Sequence, residues 1–180
     1  MKAWRHFCTI TKHRWVVRKH CFQVGLYWRG LVHDLSKYAW TEFRAGAKYY
    51  QGTRSPNSRE RELNGYSEAW MHHKGRNRHH IEYWTDIHPK TKVYAPVPMP
   101  PKFFVEMVMD RIAACKIYHG KDYRDGDALE YFLTSVDVRD PSLMHPQTKE
   151  ELTRVLTMLR DKGEKETFRY LRNAILKKKS

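Results

Sequence analysis

One carboxylate constrains this chain more than any other residue. Residues 102–119 carry a strong helical pattern that Gly120 is placed to stop. Along them Phe103, Met107, Asp110, Ala114 and Ile117 recur at 4-3-4-3 spacing, which puts them on one helix face. That face is expected to enter the core, so Asp110 stands where an apolar residue belongs. Burying a bare carboxylate is costly unless a metal, an arginine or several donors meet it. The fold must therefore carry compensating groups to this helix from elsewhere. Glu106, one turn earlier, either partners such groups or points to solvent.

The histidines supply the candidates. Residues 72–80, HHKGRNRHH, hold four of the chain's eleven histidines in nine positions. A basic exposed turn has no need of that density, whereas ligands converging on a metal do. Asn77 is placed to orient a ligand or its water. His33-Asp34, in LVHDLSKY, pairs an imidazole with a carboxylate, a ligand set suited to Fe, Mn, Zn or Mg. Neighbours on a helix point about 100° apart, so both serve one centre only if the helix ends there. A further histidine is expected from the first helix, where His13 and His20 both lie on the inward stripe. The spacing leaves open His13 or His20, His72 or His73, and His79 or His80. His6, His88, His119 and His145 have no partner pattern.

Helical periodicity extends through the chain. Residues 11–31 read as one helix with the stripe His13, Val17, His20, Val24, Tyr27/Trp28 and Leu31. Gly25 inside it is expected to mark a close helix contact. Residues 35–50 read as a second helix, 51–65 as a polar surface loop, 66–73 as a helix broken by KGRN at Gly75, and 79–86 as a short helix. Residues 87–101, with five prolines, read as an irregular connection. Helices are expected at 127–137, at 148–162 with Thr148 and Glu151 as a capping box, and at 164–178 after a stop at Gly163. No β-hairpin is expected. The fold class is all-α, a single domain over residues 1–180, with 121–180 as a helical extension packed on the rest.

Composition bounds the partners. Lys and Arg number 34 against 20 acidic residues, and residues 1–50 alone hold ten basic and two acidic ones. Such an excess attracts anions. A phosphorylated small molecule, including a nucleotide, suits it; nucleic acid is admitted but not favoured, because no helix-turn-helix, zinc-finger or RNA-recognition signature accompanies the charge. Three cysteines without metal-type spacing argue against a disulfide framework and for a cytoplasmic location. No apolar run approaches the ~20 residues of a membrane helix.

The order His13, His33-Asp34, His73, His79/His80, Asp110 resembles the HD-domain superfamily, an all-α bundle with the pattern H…HD…D, extended in binuclear members to H…HD…H…H…D. The chain is similar to a group of short bacterial and phage HD-like proteins in HDLSKY (33–38) and NRHHIEYW (77–84), and in KYYQG (48–52), GYSEAW (65–70) and DRIAA (110–114). The resemblance covers residues 9–120 and points to His13 rather than His20. It implies an HD-domain-like helical bundle and a metal-dependent phosphohydrolase with one or two divalent ions. Asp34 would bridge them, with His13, His33 and Asp110 on one and His73 with His79 or His80 on the other. Asp34 and Lys37 are the expected catalytic residues, and Lys37, Arg76 and Arg78 the expected substrate contacts. A smaller branch of the superfamily uses the same ligands for di-iron oxygen chemistry. The GYP triplet of cyclic-di-GMP phosphodiesterases is absent.

Overall fold

The helix expected at 102–119 becomes the axis of the molecule, but burial runs round it, and Asp110, Ala114 and Ile117 of the expected stripe are only half-buried. In the computed structural model, which describes residues 1–177, helix α6 (Pro101–His119) buries Phe103 through Met109 without interruption, then Ile112, Ala113 and Cys115. Around it pack α1 (Lys2–Val24) and the C-terminal helix α9 (Pro146–Tyr170), so that Val17, Val108, Ile112, Leu152, Leu156, Leu159 and Leu171 share one core. Among the described residues the molecule is all-α apart from one small hairpin. Free Cys8 is exposed, while free Cys21 and Cys115 are buried. Among the described residues no helix is long and apolar enough to cross a membrane.

The helix expected at 11–31 is two helices. Gly25 takes φ 89°, a left-handed cap from which its N–H reaches the carbonyls of Cys21 and Phe22, and α2 (Tyr27–Val32) starts in a new direction. Nothing lies within 4 Å of where a Cβ at Gly25 would stand, so it is a cap and not the expected contact. The break turns Tyr27, Trp28 and Leu31 to solvent, while His6, Ile10, His13, Val17, His20, Cys21 and Val24 form the buried stripe of α1.

Residues 35–50 likewise divide, into a 3₁₀ turn (Leu35–Tyr38) and α3 (Trp40–Tyr49). The expected loop at 51–65 contains α4 (Pro56–Asn64), with Pro56 opening it and Gly65 closing it at φ 80°. Helix α5 (Glu68–Arg76) starts at Ser67, whose hydroxyl accepts from Trp70 N–H, and runs through Gly75 to close at Asn77. The helix expected at 79–86 shrinks to a 3₁₀ turn at Ile81–Tyr83. Thr85–Ile87 (β1) then pairs antiparallel with Tyr94–Pro96 (β2), a hairpin that the proline-rich composition conceals.

After α7 (Asp127–Thr134) and α8 (Val136–Arg139), α9 starts at His145, whose ring accepts from Gln147 N–H. Thr148 is therefore not the cap; its buried hydroxyl accepts from Met99 N–H. Gly163 interrupts α9 as expected: its φ 75°, ψ 176° are non-helical, so the span is two helices joined at a kink, and a π-helical turn follows from Leu171 to Leu176. Lys178 and Lys179 of the basic tail lie outside the described residues.

Candidate metal centre

The HD pair solves its geometric problem at the end of α2. That helix stops at Val32; His33 is extended (φ −50°, ψ 126°) and Asp34 adopts a left-handed conformation (φ 53°). Asp tolerates this region better than most side chains. Arg14 donates through Nε to His33 C=O at 2.7 Å and pins the turn to α1. His33 and Asp34, both only 1% exposed, then face one centre.

Four further elements meet them there. The His13 Nε2 of α1 lies 2.8 Å from Asp110 Oδ1 of α6 and 4.0 Å from Asp34 Oδ2. His33 Nε2 is 3.4 Å from Asp34 Oδ2 and 3.6 Å from Asp110 Oδ1. His73 of α5 brings Nε2 to 3.3 Å from Asp34 Oδ1. His79, in the loop that follows, brings its own to 3.4 Å from the same oxygen and 3.6 Å from Asp110 Oδ2. His80 packs its ring against His73 and His79, with centroids at 4.8 and 4.2 Å. The atoms fall into two ligand-sized groups that share Asp34: one with His13, His33 and Asp110, the other with His73, His79 and His80.

The decisive feature is what these atoms lack. Nε2 of His33, His73, His79 and His80 and Oδ1 of Asp34 are buried without a hydrogen-bond partner, while His13 Nε2 has only Asp110 and Asp34 Oδ2 only Lys37 within 3 Å. Buried polar atoms are almost always paired, and each orphan costs about 1–3 kcal/mol. A concentration of orphans, all aimed at one another, fits a centre built to hold cations.

Behind the ligands stands a layer of carboxylates. Glu106, fully buried, takes a hydrogen bond from His33 Nδ1 at 3.0 Å, lies 3.5 Å from His79 Nδ1, and is held on its other oxygen by Arg29 Nε at 2.6 Å. Glu42 of α3 accepts from His73 Nδ1 and from His72 Nδ1, each at 2.7 Å. A carboxylate that accepts from Nδ1 fixes the tautomer and leaves Nε2 as the free lone pair. Asn77 donates to His73 C=O and to Ser36 Oγ, both at 2.8 Å, and so positions the His73 backbone as expected.

The electrostatics follow from this crowding. Burial pushes the Asp34 carboxyl up, but His33, Lys37, His73 and His79 outweigh it and hold the group well below the ordinary carboxylate range. Asp110 is likewise held low, its burial opposed by His13 and His33. For Glu106 the burial is opposed by His33 and His79, which bring it to about 2. Burial lowers His33, yet the Asp34 charge, the nearby Asp110 carboxylate and the bond to Glu106 carry it up to about 10. Burial, then the charges of His79 and His73, hold His80 well below the usual imidazole value.

Lys37 Nζ lies 2.9 Å from Asp34 Oδ2 and reaches the surface. Lys37 also lines a cavity of about 60 Å³, together with Glu42, His73, Tyr50, Asn57 and Tyr118. Arg76 and Arg78 are exposed. Arg76 donates to His72 C=O and Arg78 lies over the Tyr83 and Phe103 rings, so the structure does not bring them into the cluster.

The structure thus selects among the open alternatives. His13 enters the cluster and His20 does not: its Nε2 meets Lys116 Nζ at 3.2 Å and its ring packs on Phe168. His73 reaches Asp34 while His72 turns to Glu42, and both His79 and His80 stay near the centre. Sequence reasoning missed Glu42 and Arg29. The only trace of Glu42 is its i, i+4 spacing with Gly46, which shares the buried face of α3.

Residues 2–158 match a family described as a family of unknown function, DUF5662. The chain belongs to DUF5662. No curated protein and no solved structure matches it. The matched span takes in every residue of the cluster, from His13 to Asp110, together with Glu42, Glu106 and Lys37.

Proposed function

We propose that this DUF5662 member is a metal-dependent phosphohydrolase of HD-domain type, acting on a phosphorylated small molecule through a binuclear centre. One observation carries the reading: five buried histidine Nε2 atoms, four of them without a hydrogen-bond partner, converge with Asp34 and Asp110 in two groups that share Asp34. That is the ligand arrangement implied by the resemblance in HDLSKY and NRHHIEYW. His13, His33 and Asp110 would hold one ion and His73 with His79 or His80 the other, Asp34 serving both.

Divalent ions bound there make coordinated water easier to deprotonate and neutralise charge on a phosphoryl oxygen. The remaining work belongs to the chain. Glu106 and Glu42 hold the imidazoles in the tautomer that presents Nε2. Lys37, at the cavity rim, binds a phosphate oxygen as a point charge. Asp34, ion-paired with Lys37 at 2.9 Å, would serve as an ionised ligand. The polar cavity accepts a small anionic group and leaves the rest of the substrate outside, since it is far below the ~300 Å³ of a drug-sized pocket.

The test is anaerobic release of inorganic phosphate from a panel of phosphomonoesters and nucleotides, with Mn, Mg or Zn supplied. Metal-dependent turnover that is lost in Asp34→Ala and weakened through KM in Lys37→Ala is expected. Protein that binds iron and consumes oxygen, without releasing phosphate anaerobically, would move the assignment to the di-iron oxygenase branch.

A further inference from the structure

The outer face of α1 is as unusual as its inner one. Before Asp34 the chain contains no acidic residue, yet residues 1–33 hold Lys2, Arg5, Lys12, Arg14, Arg18, Lys19 and Arg29. At 100° per residue, Trp4, Trp15 and Phe22 fall on one line of α1, directly opposite the buried line of His6, His13, Val17 and Val24. Trp4 is 68% exposed, Trp15 48% and Phe22 39%. Arg5, Lys12 and Lys19 form a parallel row, spaced by seven residues and all exposed. Lys19 Nζ lies 3.9 Å over the Trp15 ring, and Phe22 meets exposed Tyr27 edge-on at 5.4 Å, so the rings carry on into α2.

We propose that this face of α1 binds single-stranded nucleic acid, the rings stacking on bases and the row Arg5, Lys12, Lys19 following the phosphates. Exposed rings beside a cationic track are how single strands are held without sequence preference, because every base offers a stacking face. The row from Trp4 to Phe22 spans about 27 Å at 1.5 Å per residue, the length of several nucleotides. A second copy of this chain is a poor occupant, since a two-fold contact would set this wholly basic patch against itself. A membrane surface is poorer too: Thr11 and Arg18 interrupt the aromatic line, whereas an interfacial helix buries a continuous apolar face. The surface lies across α1 from the His13 side chain and stands independently of the phosphohydrolase reading.

Fluorescence anisotropy of a labelled short oligothymidylate against the full chain tests this, with phosphatidylserine vesicles in a parallel sedimentation assay. Binding is expected to be salt-dependent and to weaken about tenfold on Trp15→Ala, within what one stacked base is worth. The triple variant Arg5→Ala/Lys12→Ala/Lys19→Ala is expected to flatten the log–log salt slope by about 2, at roughly 0.7 per phosphate contact. Unchanged melting temperatures would show that these exposed substitutions leave the fold intact. Absence of oligonucleotide binding, binding indifferent to both variants, or capture by vesicles alone would overturn the proposal.

Discussion

Asp110 shows how a single residue can dictate a site. Placed on the inner face of α6, it meets His13 at 2.8 Å and lies 3.6 Å from both His33 and His79. The carboxylates behind the histidines matter as much. Glu106→Gln and Glu42→Gln keep the shape of each side chain but remove the charge that draws Nδ1–H. Each is expected to lower metal affinity 10–100-fold while leaving the helical content unchanged, as read by competition with a chelating indicator dye. Unaltered affinity in both would show that neither carboxylate orients a ligand. At this scale the sequence was informative where a residue broke a local rule. A carboxylate in an apolar stripe exposed Asp110, and histidine density exposed His73 and His79. Glu42 and Arg29 break no local rule. Each resembles an ordinary surface charge, because the partner that buries it arrives from a distant element.

Elements were legible in proportion to their apolar content. Helix α6 has nearly the expected bounds, whereas α4, with Leu63 as its only aliphatic side chain, passed for a loop despite Pro56 at its start and Gly65 at its end. Gly25 and Gly75 exchange roles: the pattern places the first inside a helix and it caps one, and makes the second a break and it is helical. Composition could not distinguish them, because tertiary packing decides which conformation a glycine uses. Gly46 is a firmer case. The His6 ring lies so close to α3 that a Cβ at residue 46 would stand 2.1 Å from Nε2. Gly46→Ala is therefore expected to destabilise the protein by about 1–3 kcal/mol in urea unfolding, the range for overpacking a tight contact. Full stability in that variant would contradict the packing of α1 on α3.

Helix α1 also carries a pH dependence. Burial, with Lys116 adding to it, lowers the His20 imidazole to about 4, and burial with Lys37 does the same for His6. Both are neutral in the folded chain at pH 7. Between about pH 6.5 and 4 the unfolded chain takes up protons that the folded one refuses, so stability is full above 6.5 and falls as pH drops through that window. His20 contributes up to about 3 kcal/mol to the loss, and the less enclosed His6 contributes less. His20→Gln, neutral at every pH, is expected to flatten the fall measured by unfolding at pH 7 and pH 5. An identical slope in the variant would mean that His20 is already charged in the folded state.

At the scale of the whole molecule, five elements and two loops converge on atoms that satisfy one another poorly. The helical bundle supplies the energy to hold them together: Val17, Val108, Met109 and Ile112, all fully buried, lie beside the ligands on α1 and α6. The same bundle explains why the fold class was clear from the sequence while the topology was not, since periodicity reports which faces are buried but not which helix covers them. Cations at the centre are expected to stabilise the fold through mass action, by about 2.7 kcal/mol at a hundredfold excess over Kd. Dialysis against a chelator should then lower the melting temperature by roughly 5–10 °C, with recovery on adding the ion back. A melting curve indifferent to chelator would place the stability of the bundle wholly in its apolar core.

Elemental analysis of tag-free protein decides whether the His/Asp cluster holds metal. One or two divalent ions per chain are expected in the natural sequence, with the content collapsing in Asp34→Ala because both ligand groups lose their shared carboxylate. Protein that purifies and reconstitutes without metal, or an Asp34→Ala variant that binds as much as the natural chain, would contradict metal binding at the cluster.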